Sequence, residues 1–549
     1  MTHETGPSEV ERLVAAAEPR EPKPLRALLE RLEAAGLSPV PAAGVADGET
    51  DGTRGAGLRG VTDDSRQVRE DGVFVAVPGF HVDGHAFVGR AAAAGAGAAI
   101  VEHVVAGVPI PQVVVSDARR ALAVAAGWWY GDPSRDLGVL GITGTDGKTT
   151  TSFLAVAALA ACGLRSGLVG TVETRVGGLR DRHAAHVTTP GAPELQATLA
   201  AMRAAGDEAA VVETTSHALE LGRVLGIAYD AAIFTNLTHE HLELHGTFER
   251  YRAAKIRLFE ALAADDANPR KIVGGAPWPK SAVINADDPS APWFEAAAHA
   301  AGARVVTYGI EAGAGVRATA IDEDARRLRV AFDAPAGSAT LDLRLAGRFN
   351  VHNALAVVAM GEALGLDPAS VRSGLESVQG VPGRMERIDL GQPFTVLVDY
   401  AHSPASLQGV LELMAPVATA AGGGLIAVFG SAGERDTAKR AVMGHIAGER
   451  CRLVVATDED PRGEDGAAIV EEIVAGAVAA GRHRGTEVLG IPDRREAIAA
   501  AFALARPGDV VLLAGKGHET TILYADHAIP WDEAAVAREL LAVTRPAAG

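Results

Sequence analysis

Cysteine is nearly missing from this chain. Cys162 and Cys451 are the only two in 549 residues, which excludes a disulfide framework and a cysteine-built metal cluster. Both lie in apolar surroundings and read as buried thiols. Long apolar runs are missing too. The alanine-rich stretch 91–100 is short and broken by glycine, so no membrane span is expected. The start, Met1-Thr2-His3-Glu4, has no basic segment leading into an apolar core, as a secretory signal would. A cytoplasmic monomer is expected. Net positive charge is absent: the formal charge is -18 and the pI about 5.4, which argues against a nucleic-acid partner. Lysine is scarcest of all, confined to Lys23, Lys148, Lys255, Lys271, Lys280, Lys439 and Lys516. Arginine cannot lose its proton or take up carbon dioxide, so each lysine inside an ordered motif needs a reason.

What is present is ample material for cores. Hydrophobic residues make up 48% and charged residues 22%, and the length predicts about three or four domains. Residues 1–22 are small and charged and read as a disordered tail. A helix over 25–35, a loop over 44–57, a helix over 85–94 and strands at 73–77, 98–101 and 113–115 make a small α/β domain over 23–136. From 137 to 381, strands at 209–212, 231–235, 281–284 and 304–307 alternate with helices, which predicts a mostly parallel sheet covered on both faces. Within it, 265–280 reads as a loop and 322–345 as a small antiparallel excursion. A boundary near Gly380-Val381-Pro382-Gly383 opens a third, Rossmann-like α/β domain over 382–549, with strands at 395–398, 425–429, 453–456 and 509–513.

One stretch organises the rest. Val139-Leu140-Gly141-Ile142-Thr143 is an apolar strand, Gly144-Thr145-Asp146-Gly147 a glycine-rich turn, and Lys148-Thr149-Thr150-Thr151 opens a long Ala/Leu helix. Strand, glycine turn and helix start are the setting of a phosphate loop. Backbone N–H groups at the helix N-terminus face the anion. Lys148 would reach the outer phosphates and the Thr149 hydroxyl would bind magnesium. The glycines fall at 141, 144 and 147 rather than at 142, where the strict pattern wants one.

Further motifs follow predicted strands, where ligands of open α/β sheets gather. Glu213 ends one strand and is placed to hold magnesium. His239, His241 and His245 crowd together, but no cysteine is near and no zinc spacing is met, so one histidine on magnesium or phosphate is the simpler reading. Lys255 sits in the helix Tyr251-Arg252-Ala253-Ala254-Lys255-Ile256.

These motifs together resemble the Mur ligase superfamily, the ATP-dependent amide-forming enzymes of peptidoglycan assembly, with their folylpolyglutamate synthase relatives. The turn 143–150 is similar to that family's phosphate loop, with Asp146 where asparagine is usual. Gly347-Arg348-Phe349-Asn350-Val351-His352-Asn353 resembles the segment that receives adenine. Gly383-Arg384-Met385-Glu386 and Asp399-Tyr400-Ala401-His402-Ser403-Pro404 resemble the motifs that meet the ATP phosphates and ribose. Asp64-Ser65-Arg66 and Gly79-Phe80-His81-Val82-Asp83-Gly84-His85 resemble the uridine-diphosphate pocket of the member that adds the third residue. The resemblance implies ATP contacts from Gly144, Thr145, Asp146, Gly147, Lys148, Thr149, Thr150, Asn350, Asn353, Asp399 and His402. It implies a catalytic set of Lys148, Glu213, His241, Lys255 and Arg384, with magnesium on Thr149, Glu213, His241 and a carbamylated Lys255. For the UDP-muramoyl substrate it implies Ser65, Thr188, Thr189, Thr215 and Arg223. For the amino acid it implies Arg435, Glu459, Asp460, Pro461, Arg462, Gly515 and Glu519.

The implied reaction is attack of a D-glutamyl carboxylate on the γ-phosphate of ATP, followed by capture of the acyl phosphate by an amine. Such transfer depends on positioning and charge neutralisation, so a magnesium site with lysine and arginine is needed rather than a nucleophilic triad. The usual diaminopimelate signature of the family is Asp-Asn-Pro-Arg; here it is Glu459-Asp460-Pro461-Arg462. The arginine favours meso-diaminopimelate, with lysine or ornithine as alternatives, and a cyanophycin- or folate-type ligase is another reading. A GTPase is disfavoured, because Asn-Lys-x-Asp occurs nowhere.

Overall fold

A computed structural model describes residues 6–41, 57–79, 82–182, 187–238, 242–265, 268–311, 313–323, 327–345 and 347–544. Among these residues the chain forms three main sheets. In the first, Val61–Thr62, Val73–Val75, Ala98–Val101 and Gln112–Val114 run parallel, and Val40–Pro41 closes the edge antiparallel. The expected helix at 85–94 begins as a 3-10 turn, Gly84–Phe87, and becomes α-helical at Val88–Ala93.

The central sheet has eleven described strands. Its six middle strands are parallel, in the order Arg304–Gly309, Ser281–Asn285, Ala231–Phe234, Gly138–Thr143, Ala209–Glu213, Ser166–Val169. Gly138–Thr143 is buried at every position, as a strand covered on both faces must be. Alternation of its side chains assigns the faces. Leu140 and Ile142 pack with Leu154, Leu159, Leu355 and Met360. Val139 points the other way, to Leu199, Phe259 and Phe294. The antiparallel excursion starts earlier than expected. Val316–Glu323 pairs parallel with the strand before it at Tyr308 and Gly309, and only then antiparallel with Leu328–Ala334.

The third sheet runs Glu386–Ile388, Thr395–Asp399, Val510–Ala514, Leu425–Phe429, Leu453–Ala456, Val488–Gly490, parallel except for its first pair. Among the described residues no helix is long and apolar enough to cross a membrane.

Two expectations need correction. The stretch 1–22 is not a disordered tail over its described part: Glu9–Ala16 is a helix. Ser8 and Glu11 form a reciprocal capping box, Val10 is buried against the central sheet, and Ser8 Oγ donates to Asp181 Oδ2 at 2.6 Å. The region 265–280 is not a plain loop. It holds a hairpin, Ile272–Val273 with Ala276–Pro277, flanked by two buried lysines. Lys271 and Lys280 both bind the buried Asp230, at 2.7 and 2.8 Å, and each cation answers the cost of burying that carboxylate.

Candidate active site

The strand Gly138–Thr143 delivers the chain to a turn that only glycine can make. Gly144 and Gly147 have φ of +150° and +82°. A Cβ on Gly144 would lie 1.8 Å from Thr235 Oγ1, and one on Gly147 2.4 Å from Asn353 Oδ1. The turn is fastened from outside: Asn236 O accepts from Thr145 N at 2.8 Å and Asn236 Oδ1 from Asp146 N at 2.9 Å. The Asp146 side chain is exposed, so the usual asparagine can change without disturbing these backbone bonds. The helix Lys148–Ala161 then begins with no side-chain cap. Its first N–H groups face the turn, which is the geometry that binds phosphate. Lys148 Nζ donates to Gly144 O and Thr145 O at 2.9 and 2.8 Å. Thr149 and Thr150 are buried behind it.

Glu213, at the end of Ala209–Glu213, is fully buried. It accepts from Thr149 Oγ1 at 3.0 Å, Thr171 Oγ1 at 2.7 Å and Thr171 N at 3.2 Å. Among the described residues no lysine, arginine or histidine forms an ion pair with it. A buried carboxylate held only by hydroxyls and an amide still lacks a positive partner, and oxygen donors suit magnesium. No group of three His, Cys, Asp or Glu is clustered among the described residues, so phosphate oxygens and water would complete a magnesium shell. The residues therefore fit the ion. His241 lies outside the described residues. Lys255 is 1% exposed, donates to Gly144 O at 2.7 Å and stands over the Tyr251 ring at 4.6 Å. Lys148, Thr149, Glu213 and Lys255 thus gather around one turn.

From Glu213 a chain of hydroxyls leads away. Thr171 Oγ1 is 3.0 Å from Thr188 Oγ1. Thr189 Oγ1 donates to Glu213 O at 2.7 Å and lies 3.2 Å from Thr215 Oγ1, and Arg223 donates to Thr189 O at 3.0 Å. Thr171 was not legible in the sequence, because a lone threonine after a strand carries no motif. Thr188 and Arg223 line a cavity of about 320 Å³, closed from the first sheet's side by Asp63, Arg119 and Leu122. Burial raises the Asp63 carboxyl above its usual range, against the opposing charges of Arg223 and Arg119. Ser65 is buried in the same turn but does not line the cavity.

The helix Phe349–Leu364 brings Asn350 and Asn353 to the phosphate turn. Asn353 donates to Asn350 Oδ1 at 2.9 Å and accepts from Thr151 Oγ1 at 3.3 Å. In the third sheet, Asp399 accepts from Met385 N at 2.8 Å and Ala401 N at 2.9 Å. It fixes the turn in which Met385 takes φ +50°, and burial raises its carboxyl despite nearby Arg384. The turn sets the Arg384 guanidinium over the Tyr400 ring at 4.8 Å. His402 Nδ1 is engaged by Tyr400 O at 2.9 Å.

The amino-acid residues are partly brought together. Glu459, Asp460 and Pro461 are buried at the end of Leu453–Ala456, and Glu519 is buried beside them. Gly515 has φ +98°, and a Cβ on it would meet Glu459 Oε2 at 2.8 Å. Arg462 holds φ +55°, fastened by Arg462 N to Leu523 O at 2.9 Å. Glu459 Oε2, Arg462 Nε, Ser431 Oγ and Thr521 Oγ1 are buried without a hydrogen-bond partner, as expected where a polar ligand completes the set. Arg435 is not part of it: the side chain is exposed on the loop before Ala438–Arg450. A buried cation of the cluster is instead Lys516, which bonds Asp460 Oδ1 at 2.8 Å and Glu519 Oε2 at 2.6 Å.

Three family models match in order: "Mur ligase family, catalytic domain" over 58–127, "Mur ligase middle domain" over 142–361 and "Mur ligase, glutamate ligase domain" over 383–517. The chain is 50% identical to a UDP-N-acetylmuramyl-tripeptide synthetase of Roseiflexus sp. (strain RS-1), across 88% of this chain and 94% of that protein. It is 42% identical to a UDP-N-acetylmuramoyl-L-alanyl-D-glutamate--2,6-diaminopimelate ligase of Geobacter metallireducens, across 86% and 91%. A solved ligase of that same name superposes with a TM-score of 0.61 at 30% identity, over 89% of this chain and 95% of the other. The chain belongs to the Mur ligase family.

Proposed function

We propose that this chain is an ATP-dependent ligase that adds meso-diaminopimelate to UDP-N-acetylmuramoyl-L-alanyl-D-glutamate. Residues 23–136 would bind the UDP end, 137–381 ATP and 382–549 the amino acid. The observation that carries the reading is the unbroken hydroxyl chain from Thr149 through Glu213 and Thr171 to Thr188 and the cavity between the first two sheets. It joins a phosphate turn to a substrate-sized space, as a phosphoryl transfer between ATP and a carboxylate requires.

In this reading the N–H groups of the turn and Lys148 hold the phosphates, and Arg384 swings from the Tyr400 ring to the charge that develops on the transferred group. Thr188, Thr189, Thr215 and Arg223 orient the muramoyl peptide so that its D-glutamyl carboxylate meets the γ-phosphate in line. The third-sheet pocket then presents an amine to the acyl phosphate, and phosphate leaves. Thr149, Glu213 and His241 would hold magnesium, which supplies charge neutralisation on the phosphates. Lys255 lies against the turn, where uptake of carbon dioxide would turn its cation into an anionic carbamate able to join that shell. A reaction that consumes ATP fits a cytoplasmic location.

Support for diaminopimelate comes from Arg462, whose planar fork suits the distal carboxylate that lysine and ornithine lack. The Geobacter relative is named for this amino acid, whereas the Roseiflexus name specifies none. The test is phosphate release with UDP-muramoyl-dipeptide and diaminopimelate, lysine or ornithine, for wild type and Arg462→Ala. The reading predicts a diaminopimelate preference in kcat/KM that Arg462→Ala removes. A lysine or ornithine preference, or a preference indifferent to Arg462, contradicts it.

A further inference from the structure

The side-chain cluster at the end of the third sheet is built around a buried cation. Lys516 is 0% exposed. Its Nζ bridges Asp460 Oδ1 at 2.8 Å and Glu519 Oε2 at 2.6 Å. Asp460 Oδ1 also accepts from Leu523 N at 2.9 Å. The lysine is clamped between two left-handed glycines, Gly515 at φ +98° and Gly517 at φ +50°. A Cβ on Gly517 would lie 2.8 Å from Tyr400 Cβ. Neither glycine of this Gly-Lys-Gly segment has room for a side chain, Gly515 because of Glu459 and Gly517 because of Tyr400.

The arrangement accounts for the aspartate at 460. A free aspartate there would repel the carboxylate of an incoming amino acid. This one directs its bonded oxygen at Lys516 and the Leu523 amide. Of the three carboxylates Glu459, Asp460 and Glu519, Lys516 engages the last two, while the buried Arg494, paired with Glu533 at 2.7 Å, adds its charge toward Glu459 and Glu519. The third, Glu459, keeps an oxygen without a partner, and Arg462 keeps its Nε without one. Those two atoms, one acidic and one basic, keep hydrogen-bonding capacity that the protein itself does not use.

We infer that Lys516 is the positioning residue for amino-acid selection: it cancels Asp460, fixes Glu519, and leaves Glu459 and Arg462 as the pair that reads the ammonium and carboxylate of the substrate. Asp460 then acts through Lys516 rather than on the substrate. The inference rests on the proposed ligase reading, but it concerns whichever diamino acid is used.

The experiment compares Asp460→Asn, Lys516→Met and the paired variant in the full-length protein, with thermal melting as the check on folding. KM is measured separately for the amino acid, ATP and UDP-muramoyl-dipeptide. Asparagine keeps an oxygen for Lys516 and Leu523, so Asp460→Asn should raise the amino-acid KM about threefold. Lys516→Met removes the cation shared by two buried carboxylates and should raise it about 50-fold, while the other two KM values move less than about threefold. The paired variant removes one of the two charges that Lys516 answers but still takes Lys516 from Glu519, which keeps the Tyr400 hydroxyl at 3.3 Å, so its amino-acid KM should stay about tenfold high. If Lys516→Met does not fold, the paired variant and Asp460→Asn decide. The inference is overturned if Asp460→Asn is as damaging as Lys516→Met, or if the paired variant returns to the wild-type KM. It is also overturned if all three KM values move together. A wild type that turns over no diamino acid would instead refute the ligase reading, so the two failures are distinct.

Discussion

Substituting alanine at Gly147 separates backbone strain from loss of the site, because the same helix carries an internal control. Gly147 precedes Lys148–Ala161 at φ +82°, and Gly163 follows it at φ +80°. A Cβ at 163 meets nothing within 4 Å, whereas a Cβ at 147 would be 2.4 Å from Asn353 Oδ1. Gly163→Ala should therefore cost only the left-handed strain, about 1–2 kcal/mol. Gly147→Ala adds displacement of Asn353 and loss of its bonds to Thr151 and Asn350, each worth about 1 kcal/mol. The difference, roughly 2 kcal/mol, corresponds to about 4–8 °C in the melting temperature of a domain this size. Thermal melting of both variants measures it, and the KM for ATP should rise in Gly147→Ala alone. Equal melting temperatures with an unchanged ATP KM in Gly147→Ala would refute the fit between this turn and Asn353.

Lys148→Ala should fold, as a melt will show, yet lose about 3–4 kcal/mol of transition-state stabilisation; retention of more than about a tenth of the wild-type rate speaks against the phosphate role. Lys255→Arg keeps a charge but cannot form a carbamate, so it should be inactive, while Lys255→Ala should regain activity with added short-chain carboxylates; a fully active arginine variant removes the carbamate. Burial pushes the Cys451 thiol up to about 12 from an ordinary 9.0. The unfolded chain then releases this proton first, so the thiol's contribution to stability is complete below about pH 9 and is lost as pH rises toward 12. At pH 8 a thiol reagent should reach half-buried Cys162 and spare Cys451 until the protein unfolds; equal labelling of both in the native state contradicts this burial.

The sequence was legible where a local rule and the fold agree. The strands at 425–429 and 453–456 are short apolar runs buried on both faces, and the structure forms Leu425–Phe429 and Leu453–Ala456. The phosphate turn was legible because glycine, lysine and a strand–helix junction occur together in a dozen residues. The helix Glu9–Ala16 was hidden by its charged composition, although Ser8 and Glu11 at capping-box spacing signalled it. Thr171 and Lys516 were obscured for another reason: their partners Glu213 and Asp460 lie 42 and 56 residues away, and pairings across such distances are made by sheet order. The scarcity of lysine was informative beyond its use for Lys148 and Lys255. Each of the seven is spent on a specific acceptor: Lys23 on the Trp128 and Trp129 carbonyls, Lys439 on His402 O, and the rest on the sites described above.

The central claim, that this fold activates a carboxylate by phosphoryl transfer from ATP, is tested most directly with oxygen-18 in the D-glutamyl carboxylate of UDP-muramoyl-dipeptide. Turnover with ATP and diaminopimelate should yield ADP and inorganic phosphate carrying one labelled oxygen per amide formed. Label recovered in AMP, or phosphate released without label, would contradict it.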